Sequence, residues 1–206
     1  MLRHRCWFVV LVVTFQGCAS LPNDACRRVD WYSLGYQDGL AGRQPEYIAK
    51  HHPDCAAEGG VPDRAGYKLG RELGLGQFCQ PGNGFSLGVR GGTYTGVCAG
   101  ATEPEFLQAY EAGRQIYDAE LQVRRLDEIL AVNEAERDRL SAVLDRKRAA
   151  LAHDGMGAAE RASLRAELRE IEATLAMVEN EIDGIQAAIA EERSHLLSLR
   201  QANPHR

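Results

Sequence analysis

Three sets of residues in this 206-residue chain are of types and spacings that could do chemistry. Gly84-Phe85-Ser86-Leu87-Gly88 is a literal G-x-S-x-G, the elbow that exposes a nucleophilic serine on a strained strand-to-helix turn. The residues before it, Cys79-Gln80-Pro81-Gly82-Asn83, cannot be a buried strand, and the downstream His153, His195 and His205 lie in or beyond a charged helical half. Ser86 is therefore expected to match the motif by coincidence. His51-His52-Pro53-Asp54 could form an acid-base or metal cluster, but adjacent histidines point apart on a helix and Pro53 breaks it, so an exposed helix end is expected. The third set is Cys26, Cys55, Cys79 and Cys98. Their spacings of 29, 24 and 19 contain no C-x-x-C pair of the kind zinc sites normally use, which favours two disulfides over a metal. Four cysteines allow three connectivities. Cys26–Cys55 with Cys79–Cys98 is preferred, because the second bridge would clamp the Gly-rich segment between its ends. No catalytic residue, metal or cofactor is expected.

Disulfides require an oxidising compartment, and the N-terminus supplies an export signal. Residues 1–17, MLRHRCWFVVLVVTFQG, place Arg3, His4 and Arg5 before an uncharged apolar stretch from Cys6 to Phe15, the pattern of a signal peptide. That stretch is shorter than the roughly 20 residues a membrane-spanning helix needs. Phe15-Gln16-Gly17-Cys18 resembles a bacterial lipobox, which makes Cys18 the expected lipid-attachment residue. Phe15 and Gln16 depart from the usual residues of that motif. In the sorting scheme this site resembles, Asp after the cysteine favours inner-membrane retention; Ala19 stands there, so an outer-membrane anchor facing the periplasm is expected. Membrane attachment is thus through acyl chains, without a spanning helix.

The composition divides sharply. All six Cys, both Trp and 17 of the 21 Gly precede residue 101. Residues 18–102 carry eight acidic and eight basic groups, whereas 103–206 carry 21 acidic and 14 basic. The overall formal charge of −5 argues against a nucleic-acid partner, since phosphate binding needs a clustered basic surface. Three domains follow: a signal peptide at 1–17, a Cys/Gly-rich head at 18–102, and a helical coiled-coil hairpin at 103–206 with its turn near 153–158. The fold class is mainly α, a small disulfide-stapled head followed by a long antiparallel hairpin.

A small residue, Tyr, two variable positions and Gly recur at Gly35–Gly39 and Gly66–Gly70 in the head and at Ala109–Gly113 just beyond it. At helical spacing the two small residues share a face and let backbones approach closely. Charged neighbours such as Asp63, Lys68 and Arg71 mark these as soluble helices, not membrane ones. Short helices are expected near 29–41, 45–57 and 62–77, the last two opened by Pro45 and Pro62. Residues 80–98 are expected as an ordered loop or irregular hairpin.

In the second half, positions from Ile116 to Leu151 spaced alternately three and four apart are apolar in eight of eleven cases, with Asn133, Arg137 and Lys147 as exceptions. From Leu164 to Leu199 ten of eleven are apolar, Glu192 excepted. This is the signature of a coiled coil, and His153-Asp154-Gly155-Met156-Gly157 breaks it into two arms. Asn133 and Arg137 read either as a register device or as a place where the arms splay or pair with another chain. Association with a protein partner, or with itself, is expected through this coiled coil.

The segments DWYSLGYQDGLAGR (30–43), PDRAGYKLGRELGL (62–75), NGFSLGVRG (83–91) and YTGVC (94–98) resemble a YfiL-like family of uncharacterised proteobacterial lipoproteins, a domain of unknown function, over roughly residues 18–117. The resemblance implies envelope location and paired cysteines, and carries no activity. Two functions remain open. The first is a non-enzymatic envelope lipoprotein whose coiled coil is a spacer or partner-binding arm. The alternative is a small glycan- or ligand-binding, or enzymatic, module in which Trp31, Tyr36, Arg43, Phe85, Arg90 and Tyr94 line a pocket.

Overall fold

The structure, a computed structural model, describes residues 29–51, 61–153 and 155–203. The signal peptide, Cys18, Cys26, Cys55, His52, Pro53 and Asp54 lie outside the described residues. Among the described residues every regular element is helical: α1 (Trp31–Leu40), a 3-10 segment (Pro45–Lys50), α2 (Arg64–Phe78), α3 (Pro81–Val89), α4 (Glu103–Leu151) and α5 (Ala158–Ala202), with a one-turn 3-10 segment (Gly100–Thr102) leading into α4. No described helix is long and apolar enough to cross a membrane. The described residues fall into two compact units, divided between Gln77 and Phe78.

In the first unit, Asp30 caps α1 by accepting the Ser33 backbone N–H at 3.0 Å, and Asp63 accepts the N–H groups of Ala65 and Gly66 at the start of α2. Glycines then set how the two helices meet. A Cβ placed on Gly35 or Gly70 would overlap the carbonyl oxygen of Tyr67 or of Tyr32, and one on Gly39 or Gly74 would overlap that of Arg71 or of Tyr36. Four glycines therefore let one backbone lie directly on the other. Each costs roughly 1 kcal/mol of helix propensity against Ala, which the close packing offsets. Trp31, Ile48 and Tyr67 make the core, with Val29 and Leu34 against it. The 3-10 segment stands where a helix near 45–57 was expected, and His51 after it is already extended, with ψ 128°.

In the second unit, α3 occupies 81–89, where the loop or irregular hairpin expected over 80–98 should have begun. Pro81 sits at its first position, and Gly84 and Gly88, one turn apart, face Phe106 and Tyr110 of α4 so closely that a Cβ on either would overlap a carbonyl oxygen. The glycines that made the segment look like a loop are its packing face. Ser86 lies in the middle of this helix, with no strand before it, so the G-x-S-x-G has no elbow geometry.

The two helix pairs are one design used twice. Gly74 meets Tyr36 O, Leu40 N and Gly39 Cα, and Gly113 meets Phe85 O, Val89 N and Gly88 Cα. Both first helices end alike: Gly42 (φ 64°) and Gly91 (φ 69°) bond back to Gly39 and Gly88, while Arg43 and Gly92 donate to the carbonyls of Asp38 and Leu87. This is a Schellman cap, whose left-handed residue favours glycine. Even a tertiary bond is repeated, since Arg71 Nε donates to Arg43 O at 2.8 Å and Tyr110 Oη donates to Gly92 O at 3.0 Å. Gly84–Gly88 is thus the fourth copy of the small-residue motif, with Phe in place of Tyr.

Helices α4 and α5 form the expected antiparallel hairpin, joined through residues 152–157 with Gly155 at φ 106°. All 22 seam positions named from the three-four spacing are buried or half-buried, including the polar ones. Four ion pairs cross between the helices, Lys147 with Glu167 and three that share one register: Arg148 with Glu172, Asp127 with Arg193 and Glu120 with Arg200. Between the first and second of these three each helix advances 21 residues, and between the second and third it advances 7. Whole heptads separate the three, as a 3.5-residue seam requires. Asn133 donates its amide to Ile129 O on its own helix, and Arg137 pairs with Asp138 and also feels the charge of Glu179 on α5.

Candidate functional site

Of the expected site residues, Cys79 and Cys98 are bonded to each other. The bridge closes a 19-residue separation across α3, a constraint of about 3 kcal/mol on the unfolded chain. It lies beside an aromatic cluster centred on Phe106, which is fully buried and has the rings of Phe78 and Tyr94 at 5.4 and 4.9 Å. Tyr94 Oη accepts the Cys98 N–H at 2.9 Å and donates to Glu103 at 3.2 Å, and burial raises its pKa. Phe85 is half-buried on α3, while Arg90, at the C-cap of α3, is exposed. These three belong to the second unit.

Trp31, Tyr36 and Arg43 belong to the first unit. Trp31 is spent in the core and Tyr36 is half-buried beside the glycine contact. Arg43 stacks its guanidinium 3.9 Å from the centre of the Tyr47 ring and reaches Asp38 Oδ1 with Nε at 3.4 Å.

Asp38 is the residue that sequence reasoning passed over. It is 4% exposed, the one buried charged side chain among the described residues. Tyr67 Oη donates to its Oδ2 at 2.6 Å, and His51 Nε2 lies 2.6 Å from the same oxygen. Three elements thus converge on one carboxylate: α1 supplies Asp38, α2 supplies Tyr67, and the end of the 3-10 segment supplies His51. Burial first, and then the hydrogen bond to Asp38, push the Tyr67 pKa well above its ordinary 10.0. The repeat shows that helix packing does not demand this chemistry. At the corresponding places the second unit has Leu87 for Asp38 and Phe106 for Tyr67. A polar cluster thus replaces what is apolar in the sister pair.

The signal that could have found it was the variable pair inside Gly35-Tyr36-Gln37-Asp38-Gly39. An acidic residue next to a glycine that must touch another helix cannot reach solvent freely. Chemically, both donors are aimed at one oxygen, which ties three elements together and leaves Asp38 no free face for a substrate.

Tyr67 makes the first unit alkali-sensitive. Its folded pKa exceeds the unfolded value near 10, so above pH 10 the unfolded chain loses the phenolic proton before the folded one does, and stability falls as pH rises. Below pH 10 the full contribution is present. Trp31 fluorescence in a Trp7→Phe background should show native unfolding free energy declining above pH 10 more steeply than that of Tyr67→Phe, by up to about 1.4 kcal/mol per pH unit. Parallel curves for the two proteins would refute the assignment.

No group of three or more His, Cys, Asp or Glu that could hold a metal ion occurs among the described residues. Comparison with curated proteins finds no match. Comparison with solved structures finds none either. Residues 30–115, from the cap of α1 through the first turns of α4, match the family model described as "Protein of unknown function (DUF2799)", so both glycine-packed helix pairs and the Asp38 cluster lie within a domain of unknown function, and most of the hairpin lies beyond it.

Proposed function

We propose that this chain is an envelope lipoprotein, held in the outer membrane by acylation of Cys18 and facing the periplasm, that works as a structural or interaction protein with its hairpin as a spacer and partner-binding arm. The observation that carries the reading is the register of α4 and α5: ion pairs separated by whole heptads make a register-locked element. At 1.5 Å per residue the 45-residue α5 spans roughly 68 Å. A rigid element of that length extending past the domain of unknown function suits bridging better than turnover. The signal-peptide pattern, the Gly17-Cys18 junction and the resemblance to YfiL-like lipoproteins support the location.

Two measurements in cells test it. Labelled palmitate should enter the native chain and fail to enter Cys18→Ser. Photo-crosslinkers at the exposed Val132 and Met177, on the outer surface of the hairpin, should yield discrete protein adducts. Absence of palmitate, or a reproducible glycan adduct on the head with no protein adduct on the hairpin, would overturn the reading.

A further inference from the structure

The repeated helix pair differs in what lies beside it. In the second unit, Gln108, Ala112 and Gln115 of α4 form one wall of a cleft whose other wall is Leu199, Ala202 and Asn203 at the C-terminal turn of α5, with Ala112 half-buried and the two glutamines exposed. The glycine contacts align Gly74 with Gly113, which puts Leu69, Leu73 and Gly76 of α2 at the places of those three α4 residues. They lie at i, i+4 and i+7, one face of the helix, turned away from Tyr67 and the Asp38 cluster. That face is more apolar than its sister and is open: Leu69 is 62% and Leu73 55% exposed, and the neighbouring Leu40 and Tyr32 of α1 are 42% and 46% exposed. A Cβ on Gly76 would meet nothing within 4 Å. An antiparallel helix stands beside the sister face, and the exposed leucines leave room for one here.

We infer that the α2 face of Leu69 and Leu73 is the interface with a second copy of this chain, each copy supplying α2 as the antiparallel helix that covers the other. Self-complementarity identifies the occupant. A twofold interface places the same patch against itself, so each residue must suit its symmetry mate. An axis that sets Leu69 against Leu73 of the second copy brings Lys68 of each copy alongside Glu72 of the other. Those two charges rim the apolar face and already approach to 3.7 Å within one helix, with both side chains mostly exposed. The small ends of the face, Ala65 and Gly76, lie opposite each other under the same axis and let the helices come close. This association is distinct from the hairpin's proposed partner binding and does not depend on it.

Sedimentation equilibrium of the full chain, with a benzoylphenylalanine crosslinker at position 73 as the second readout, tests this. The native chain should be a dimer and crosslink to itself. Leu69→Lys/Leu73→Lys should raise the dimer dissociation constant at least 100-fold, with Trp31 emission and far-ultraviolet circular dichroism unchanged, since both leucines are exposed. Lys68→Glu alone and Glu72→Lys alone should each weaken the dimer about tenfold, and the charge swap Lys68→Glu/Glu72→Lys should restore it. The inference is overturned by a monomeric native chain, by a dimer indifferent to Leu69→Lys/Leu73→Lys, or by position-73 adducts formed only with lipid or with a different protein.

Discussion

Asp38→Ala should destabilise the first unit by about 3 kcal/mol, while Asp38→Leu combined with Tyr67→Phe should recover most of that loss. The single change strands two donors, the Tyr67 hydroxyl and the His51 ring, that both rely on Asp38 Oδ2 at 2.6 Å. A buried donor without an acceptor costs about 1–3 kcal/mol, and breaking a buried ionic contact costs more than the intact contact is worth. The double change removes one of those donors and converts the site into the Leu87–Phe106 arrangement that the sister pair already uses, where no polar group needs an acceptor. His51 and Arg43 keep access to water, so their loss of a partner is the smaller term. Urea unfolding followed by Trp31 emission in the Trp7→Phe background reads the first unit selectively, because Trp31 packs on Tyr67 in its core. If the double variant is as unstable as the single one, then the polar cluster holds these helices together in a way the apolar pair cannot, and the equivalence of the two sites fails.

The second large effect concerns glycines, and its sign depends on position. Gly39→Ala and Gly70→Ala should each destabilise the first unit by about 2 kcal/mol. The added methyl meets a backbone carbonyl, which cannot rotate away as a flexible side chain can, so the helices must separate along their whole contact. This outweighs the roughly 1 kcal/mol that Ala gains over Gly in helix propensity. Gly184→Ala, in the exposed middle of α5 with nothing within 4 Å of the new Cβ, has only the propensity gain and should raise hairpin stability by up to about 1 kcal/mol. Thermal melting at 222 nm, which the hairpin dominates, checks the latter. Destabilisation by Gly184→Ala, or neutrality of Gly70→Ala, would remove close packing as the reason these glycines are there.

The hairpin was the most legible part of the chain. Its spacing pattern named 22 inward positions, and all 22 are buried or half-buried, because a long amphipathic helix has only one face to bury and the period of its apolar residues reports that face directly. The helices near 29–41 and 62–77 were legible for the same local reasons: Asp30 and Asp63 cap them, and the small-residue spacing is helical. Residues 81–89 were not. Gly82, Gly84 and Gly88 oppose a helix by propensity, and only the backbone of α4 lying against Gly84 and Gly88 reverses that preference. Of the Asp38 cluster only the acidic residue beside Gly39 left a local trace; its partners lie 13 and 29 residues away in sequence, and nothing local announces that pairing.

What the sequence determined by itself was the sequence-local physics: the two long arms and the helices near 29–41 and 62–77, which face of each long helix turns inward, and where the two arms part at Gly155 and Gly157. What only the tertiary structure decided was which backbones touch. Contact between Gly74 and Tyr36, or between Gly88 and Tyr110, joins distant residues through main-chain atoms common to every residue type, so no side-chain pattern specifies the partner. From those contacts follow the equivalence of the two helix pairs, the burial of Asp38 in one where a half-buried Leu87 stands in the other, and the exposed apolar face of α2.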